Sequence, residues 1–110
     1  MAILLPNNKQ WAYAGWVSRS FFNDCLEVIG DDVTFADIKE DIVDTVKNYA
    51  FTLSYENIEQ GKLQKLRHVV DKVIFLNSAR GEQQFRDTKW FLGYSEALEK
   101  LRDVLKEVEK

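Results

Sequence analysis

The two side chains best suited to nucleophilic or general-base work each occur once, as Cys25 and His68. A reactive thiol needs a nearby cation or base that stabilises its thiolate. At helical spacing, the neighbours of Cys25 are Phe22, Leu26 and Ile29. They predict a buried thiol that acts as a small hydrophobe. A lone cysteine also fits a reducing compartment. His68 lies in the run Leu66-Arg67-His68-Val69-Val70, beside an apolar stripe. A general base needs a carboxylate or a nucleophile in range, and Asp71, three residues on, is a weak candidate. Structural or surface duty is the simpler reading for this histidine.

Carboxylates offer a second kind of chemistry. Asp37, Asp41 and Asp44 follow at i, i+4 and i+7, which sets them on one face of a helix. A hard cation needs oxygens converging from several elements, so this ridge reads as a solvated acidic face. The chain has no second histidine, no paired cysteine, no Glu-x-x-His and no calcium-loop pattern. Its five glycines stand alone, without a phosphate-cradling cluster. The expectation is a non-enzymatic protein with no metal and no cofactor.

Binding chemistry is better represented. Residues 61–94 hold seven cations against three acids, and residues 31–60 hold eight acids against two cations. One reading is mutual neutralisation, an acidic helix lying beside a basic one. The other is that Lys62, Lys65, Arg67, Lys72, Arg80, Arg86 and Lys89 contact nucleic acid, helped by Phe85 and Trp90 as stacking rings. Against the second, the net charge is −3 and the cations do not share one helix face. Phosphate affinity requires a concentrated basic surface.

Aromatic residues point to protein partners. Trp90, Phe91 and Tyr94 cluster around Gly93, with Arg86 and Lys89 as a polar rim. Aromatic and arginine side chains tend to dominate interface energetics. A plainer reading makes the same rings the cap of a bundle core. A second set, Trp11, Tyr13, Trp16, Val17 and Phe21, makes the first helix apolar around most of its circumference. Such a helix is central in a bundle or is covered by a second subunit.

The elements that must position these residues follow from caps and periodicity. The chain has 110 residues, five glycines and one proline. That length suits one domain, residues 1–110, and so few breakers favour long helices. Asn7 or Asn8 is read as the cap of a helix over 9–29, preceded by a short packed or frayed arm. The alternation Trp11, Tyr13, Gly15, Val17 leaves a strand open over 11–17. Thr34 and Asp37 open a second helix over 34–53, with Phe35, Ile38, Ile42, Val46, Tyr49 and Leu53 inward. A third spans 55–80, capped by Ser54 and ended by Arg80-Gly81. A short helix over 82–92 stops at Gly93, and Ser95 caps a last one over 95–109. Its outer face pairs Glu96 with Lys100, Glu99 with Arg102 and Asp103 with Lys106.

The predicted fold is therefore all-α, an antiparallel bundle of four to five helices. No apolar run approaches the roughly 20 residues that span a bilayer, and no signal peptide is evident, so the expected location is cytoplasmic. The expected function is that of a small protein-interaction module: a regulator, inhibitor or immunity-type factor that binds another protein. Self-association through the first helix accompanies it. The alternative is a helical nucleic-acid-binding protein using the basic 62–89 segment.

Overall fold

Three short strands, absent from the predicted all-α bundle, share the molecule with four helices. The computed structural model describes residues 2–48, 52–85 and 87–109. The helices are α1 (Gly15–Ile29), α2 (Ala36–Lys47), α3 (Gln60–Arg80) and α4 (Thr88–Val108). The strands are β1 (Ala2–Leu4), β2 (Gln10–Ala12) and β3 (Thr52–Ser54). The largely helical character holds, and the pure bundle does not.

The sheet has the order β2-β1-β3. β1 runs antiparallel to β2 and parallel to β3, which sets Ile3 opposite both Trp11 and Leu53. These three side chains form a buried row across the sheet, because alternate residues of a strand share one face. The residues expected to form a short packed or frayed arm are packed, as the central strand of the sheet. The turn between β1 and β2 explains why a cap was expected there. Asn7 and Asn8 both have positive φ, at 62° and 60°, a region that asparagine enters more readily than most residues. Across that turn the Leu5 N–H donates to the Lys9 carbonyl at 2.9 Å. Asn7 and Asn8 therefore turn a hairpin, and the strand alternative for residues 11–17 is realised only over the short β2.

Each helix start moves inward relative to the sequence expectation. α1 begins at Gly15. A 3₁₀ turn over Val33–Phe35 precedes α2, and the Asp32 carboxylate accepts from the Thr34 N–H at 2.9 Å. Asp32, not Thr34, is the capping side chain. α2 stops at Lys47, and Leu53 belongs to β3; Tyr49 lies outside the described residues. Ser54 is a strand residue, and α3 starts five residues after Tyr55. The expected end of α3 is present: the Gly81 N–H donates to the Asn77 carbonyl at φ +68°.

α4 replaces the two expected C-terminal helices with one. Gly93 lies inside it and does not end it. Ser95 is no cap; its hydroxyl accepts from the Asn77 amide at 2.8 Å, joining α4 to α3. Tyr94, Ala97, Leu98, Leu101, Leu105 and Val108 recur at intervals of one to four along the buried side of α4. Against them pack Leu63, Leu66, Val70 and Val73 of α3 and Phe21, Phe22 and Cys25 of α1, all in one continuous core. Among the described residues, no helix is long and apolar enough to cross a membrane.

Candidate functional site

α1 and α4 meet along a seam that carries two contrasting clusters. The first is polar and buried. Asp24 of α1 accepts from the Tyr94 hydroxyl at 2.7 Å and pairs with Arg80 at 2.9 Å. Arg80 also reaches Glu27. Carboxylates are rarely buried unless paired, and here α1 supplies Asp24 and Glu27, α3 supplies Arg80 and α4 supplies Tyr94. Burial first, and the bond to Asp24 second, push the Tyr94 phenol well above its ordinary range. Hydrogen bonds to Glu27 and Asp24 hold the Arg80 guanidinium firmly in its charged form. Cys25 is buried beside them, and desolvation with the Asp24 charge raises its thiol well above the usual value. A thiol so placed is unreactive, as its neighbours in sequence suggest. The whole cluster fastens helices together.

The second cluster is aromatic and faces solvent. Trp16, in the first turn of α1, stacks on Trp90, in the first turn of α4, with ring centroids 5.7 Å apart and planes 24° apart. Trp16 remains 38% exposed and Trp90 51%. Phe85 lies edge-on to Trp16 at 6.3 Å and to Tyr94 at 5.7 Å, and Phe91 tilts against it at 6.2 Å. A methyl placed on Gly93 would lie 3.9 Å from the Trp16 ring, so Trp16 rests directly over the α4 backbone at that residue. Lys89, one turn before Gly93, is exposed.

These positions redistribute the residues expected to bind. Of Arg86, Lys89, Trp90, Phe91 and Tyr94, the structure exposes Lys89 and Trp90, half-buries Phe91 and fully buries Tyr94. Arg86 lies outside the described residues. Of the set assigned to self-association, Trp11, Val17 and Phe21 are core residues of their own chain. Tyr13 packs its ring 5.2 Å from that of Trp11. Only Trp16 is substantially exposed, and it joins Trp90. The two expected surfaces are thus replaced by a single one, made by the exposed members of both. Arg19, exposed and one turn beyond Trp16 on α1, was not singled out by sequence; its i+3 spacing from Trp16 is the signal that carried it.

The charged segments are largely neutralised within the chain. Lys62 pairs with Asp41 at 2.7 Å and Lys65 with Asp37 at 3.5 Å, which ties α3 to α2. Arg67 pairs with Glu109. Lys72 lies 4.6 Å from the centre of the Phe35 ring. Mutual neutralisation of the acidic and basic helices accounts for Lys62 and Lys65.

Two surface hollows lie elsewhere. One, of about 660 Å³, is lined by Asp41, Asp44, Tyr55, Glu56, Glu59 and Lys62 among others. In it Asp41 already accepts from the Tyr55 hydroxyl at 2.6 Å and pairs with Lys62. Among the described residues, no group of three or more acidic, cysteine or histidine side chains is placed to hold a metal ion. The other, of about 480 Å³, is an apolar groove between α1 and α3 lined by Val28, Phe75, Leu76 and Ala79, with His68, Asp71 and Lys72 at its edge. His68 is exposed there.

Compared with protein-family models, curated proteins and solved structures, the chain matches no family model, no curated protein and no solved structure.

Proposed function

We propose that this protein is a small interaction module that binds another protein through the surface centred on Trp16 and Trp90, as a regulator, inhibitor or immunity-type factor. The observation that carries this reading is the stacked pair itself. Two indoles, each more than a third exposed, lie against one another at the joined ends of α1 and α4. Phe85 lies edge-on to Trp16 and is itself packed against Phe91. Large aromatic rings with rigid support are typical anchors of protein interfaces. Apolar surface that a folded chain leaves open and contiguous marks an interaction site more often than scattered single residues do. Any self-association of α1 would use this same surface, since Trp11, Val17 and Phe21 are occupied internally.

A nucleic-acid role has less to support it. Four of the basic segment's cations, Lys62, Lys65, Arg67 and Arg80, are already paired with carboxylates.

Affinity capture with three baits tests the reading. Phe75 is 76% exposed and lies in the other apolar region, so Phe75→Glu serves as the control. The expected result is a protein retained by wild type and by F75E, and lost with both Trp16→Glu and Trp90→Glu. Retention that ignores the tryptophans overturns the assignment. A steeply salt-dependent affinity for DNA or RNA would favour the nucleic-acid reading in its place.

A further inference from the structure

The unpaired cations of the described residues are few; among them, Arg19 follows Trp16 by one turn of α1, and Lys89 precedes Trp90 at the start of α4. Lys9, Lys39, Lys62, Lys65, Arg67, Arg80, Lys100 and Arg102 each have a carboxylate within 4.0 Å. Lys72 rests on the Phe35 ring. Arg19, Lys47, Lys89 and Lys106 have no such partner, although acids outnumber cations 18 to 15 in the chain. Asp87, the nearest acid in sequence, accepts from the Lys89 backbone N–H at 2.8 Å as the cap of α4. Its carboxylate is turned to the helix end and away from an ion pair.

From this placement we infer that the Trp16–Trp90 surface receives an acidic polypeptide segment bearing an aromatic or large apolar side chain. The apolar side chain lies against the indoles, and flanking carboxylates meet Arg19 and Lys89. This inference rests on the interaction reading above and gives the partner its chemistry. Complementary charge around an apolar centre steers encounter and rejects wrong partners. A cation left unpaired in an acid-rich chain, beside exposed rings, is suited to a partner's carboxylate. Single-stranded nucleic acid fits the surface less well. It needs cations spaced along a backbone track, and eight of the described cations already have a carboxylate of the chain within 4.0 Å. The stacked indoles also present only their outer faces.

The experiment measures fluorescence anisotropy of two labelled probes against the full chain. One is a random glutamate–tyrosine copolymer and the other an oligodeoxythymidylate of similar charge. Saturable binding of the copolymer is expected, with Kd raised at least tenfold in the double variant Arg19→Glu/Lys89→Glu and at least tenfold in Trp90→Ala. Neutral Arg19→Gln/Lys89→Gln is expected to fall between, which guards against a reversal variant that fails to fold. The inference is overturned by the absence of saturable copolymer binding. Unchanged affinity in both charge variants overturns it equally, as does an oligonucleotide that binds as tightly as the copolymer. Its failure is separable from failure of the surface assignment. If W90E loses a captured protein that R19E/K89E retains, the surface stands and the acidic partner falls.

Discussion

Trp11 and Trp16 stand five residues apart, and the fold uses them in opposite ways. Trp11 sits on β2 at 2% exposure, and its indole N–H donates to the Ala97 carbonyl at 2.9 Å, inside α4. Trp16 sits on α1 and lies over α4 at Gly93, with its outer face in solvent. Both touch the same helix. The first is a rivet whose polar atom has a partner, as a buried indole requires. The second is a plate resting on another plate. Residue type does not separate them; the backbone does. In a continuous helix both rings would share a broad apolar surface, whereas a strand, a turn and then a helix send one inward and leave the other outside.

The contrast breaks most readily at its buried end. Trp11→Ala is expected to cost about 3–5 kcal/mol, the range for deleting a large buried aromatic, read as a lowered urea midpoint. Asp24→Ala, which removes the acceptor shared by Tyr94 and Arg80, is expected to cost about 1.5–3 kcal/mol. The same network predicts an alkaline limit. Unfolded, the Cys25 thiol and Tyr94 phenol ionise near 9.0 and 10.0, while folded they are held protonated by burial. The unfolded state therefore loses its protons first. The contribution is fully present below pH 9 and declines as pH rises above it, which equilibrium unfolding across pH 8–11 will register; Tyr94→Phe should flatten part of that decline.

Smaller effects sharpen the other side. Trp16→Ala is expected to lower stability by about 1–2 kcal/mol, the worth of two aromatic contacts at a half-exposed site, while abolishing partner capture. A loss as large as that of Trp11→Ala would make Trp16 a structural residue and erase the distinction. Lys65→Ala should change stability least, by about 0.5 kcal/mol or less, since its pair with Asp37 is half-exposed and screened. A urea series at low and high salt would show it.

What the sequence made legible follows from range. Local periodicity located the buried stripes of α3 and of the C-terminal half of α4, and the Arg80-Gly81 ending. The charge partition anticipated Lys62 with Asp41 and Lys65 with Asp37 across two helices. The sheet was missed because each strand has only three residues, too few for alternation to register, and because β1 pairs with β3 across fifty residues of chain. Gly93 was misread because a helix interior tolerates glycine at about 1 kcal/mol, a cost that tertiary packing overrides. The candidate surface was half legible. Aromatic composition near Gly93 marked the segment that carries Trp90, but neither the stacking of Trp90 on Trp16 nor the burial of Tyr94 can be read from one stretch of chain. Asp24 gave no local signal, since its partners come from α3 and α4.

The parallel pairing of β1 with β3 has a meaning in time as well as in space. The hairpin to β2 closes over a few residues, so β1 can find that neighbour early. Its other neighbour lies beyond two helices, and closing so long a loop must wait for contacts that offset the lost chain entropy. The central strand of the sheet thus has one edge that closes locally and another that closes only over fifty residues of chain.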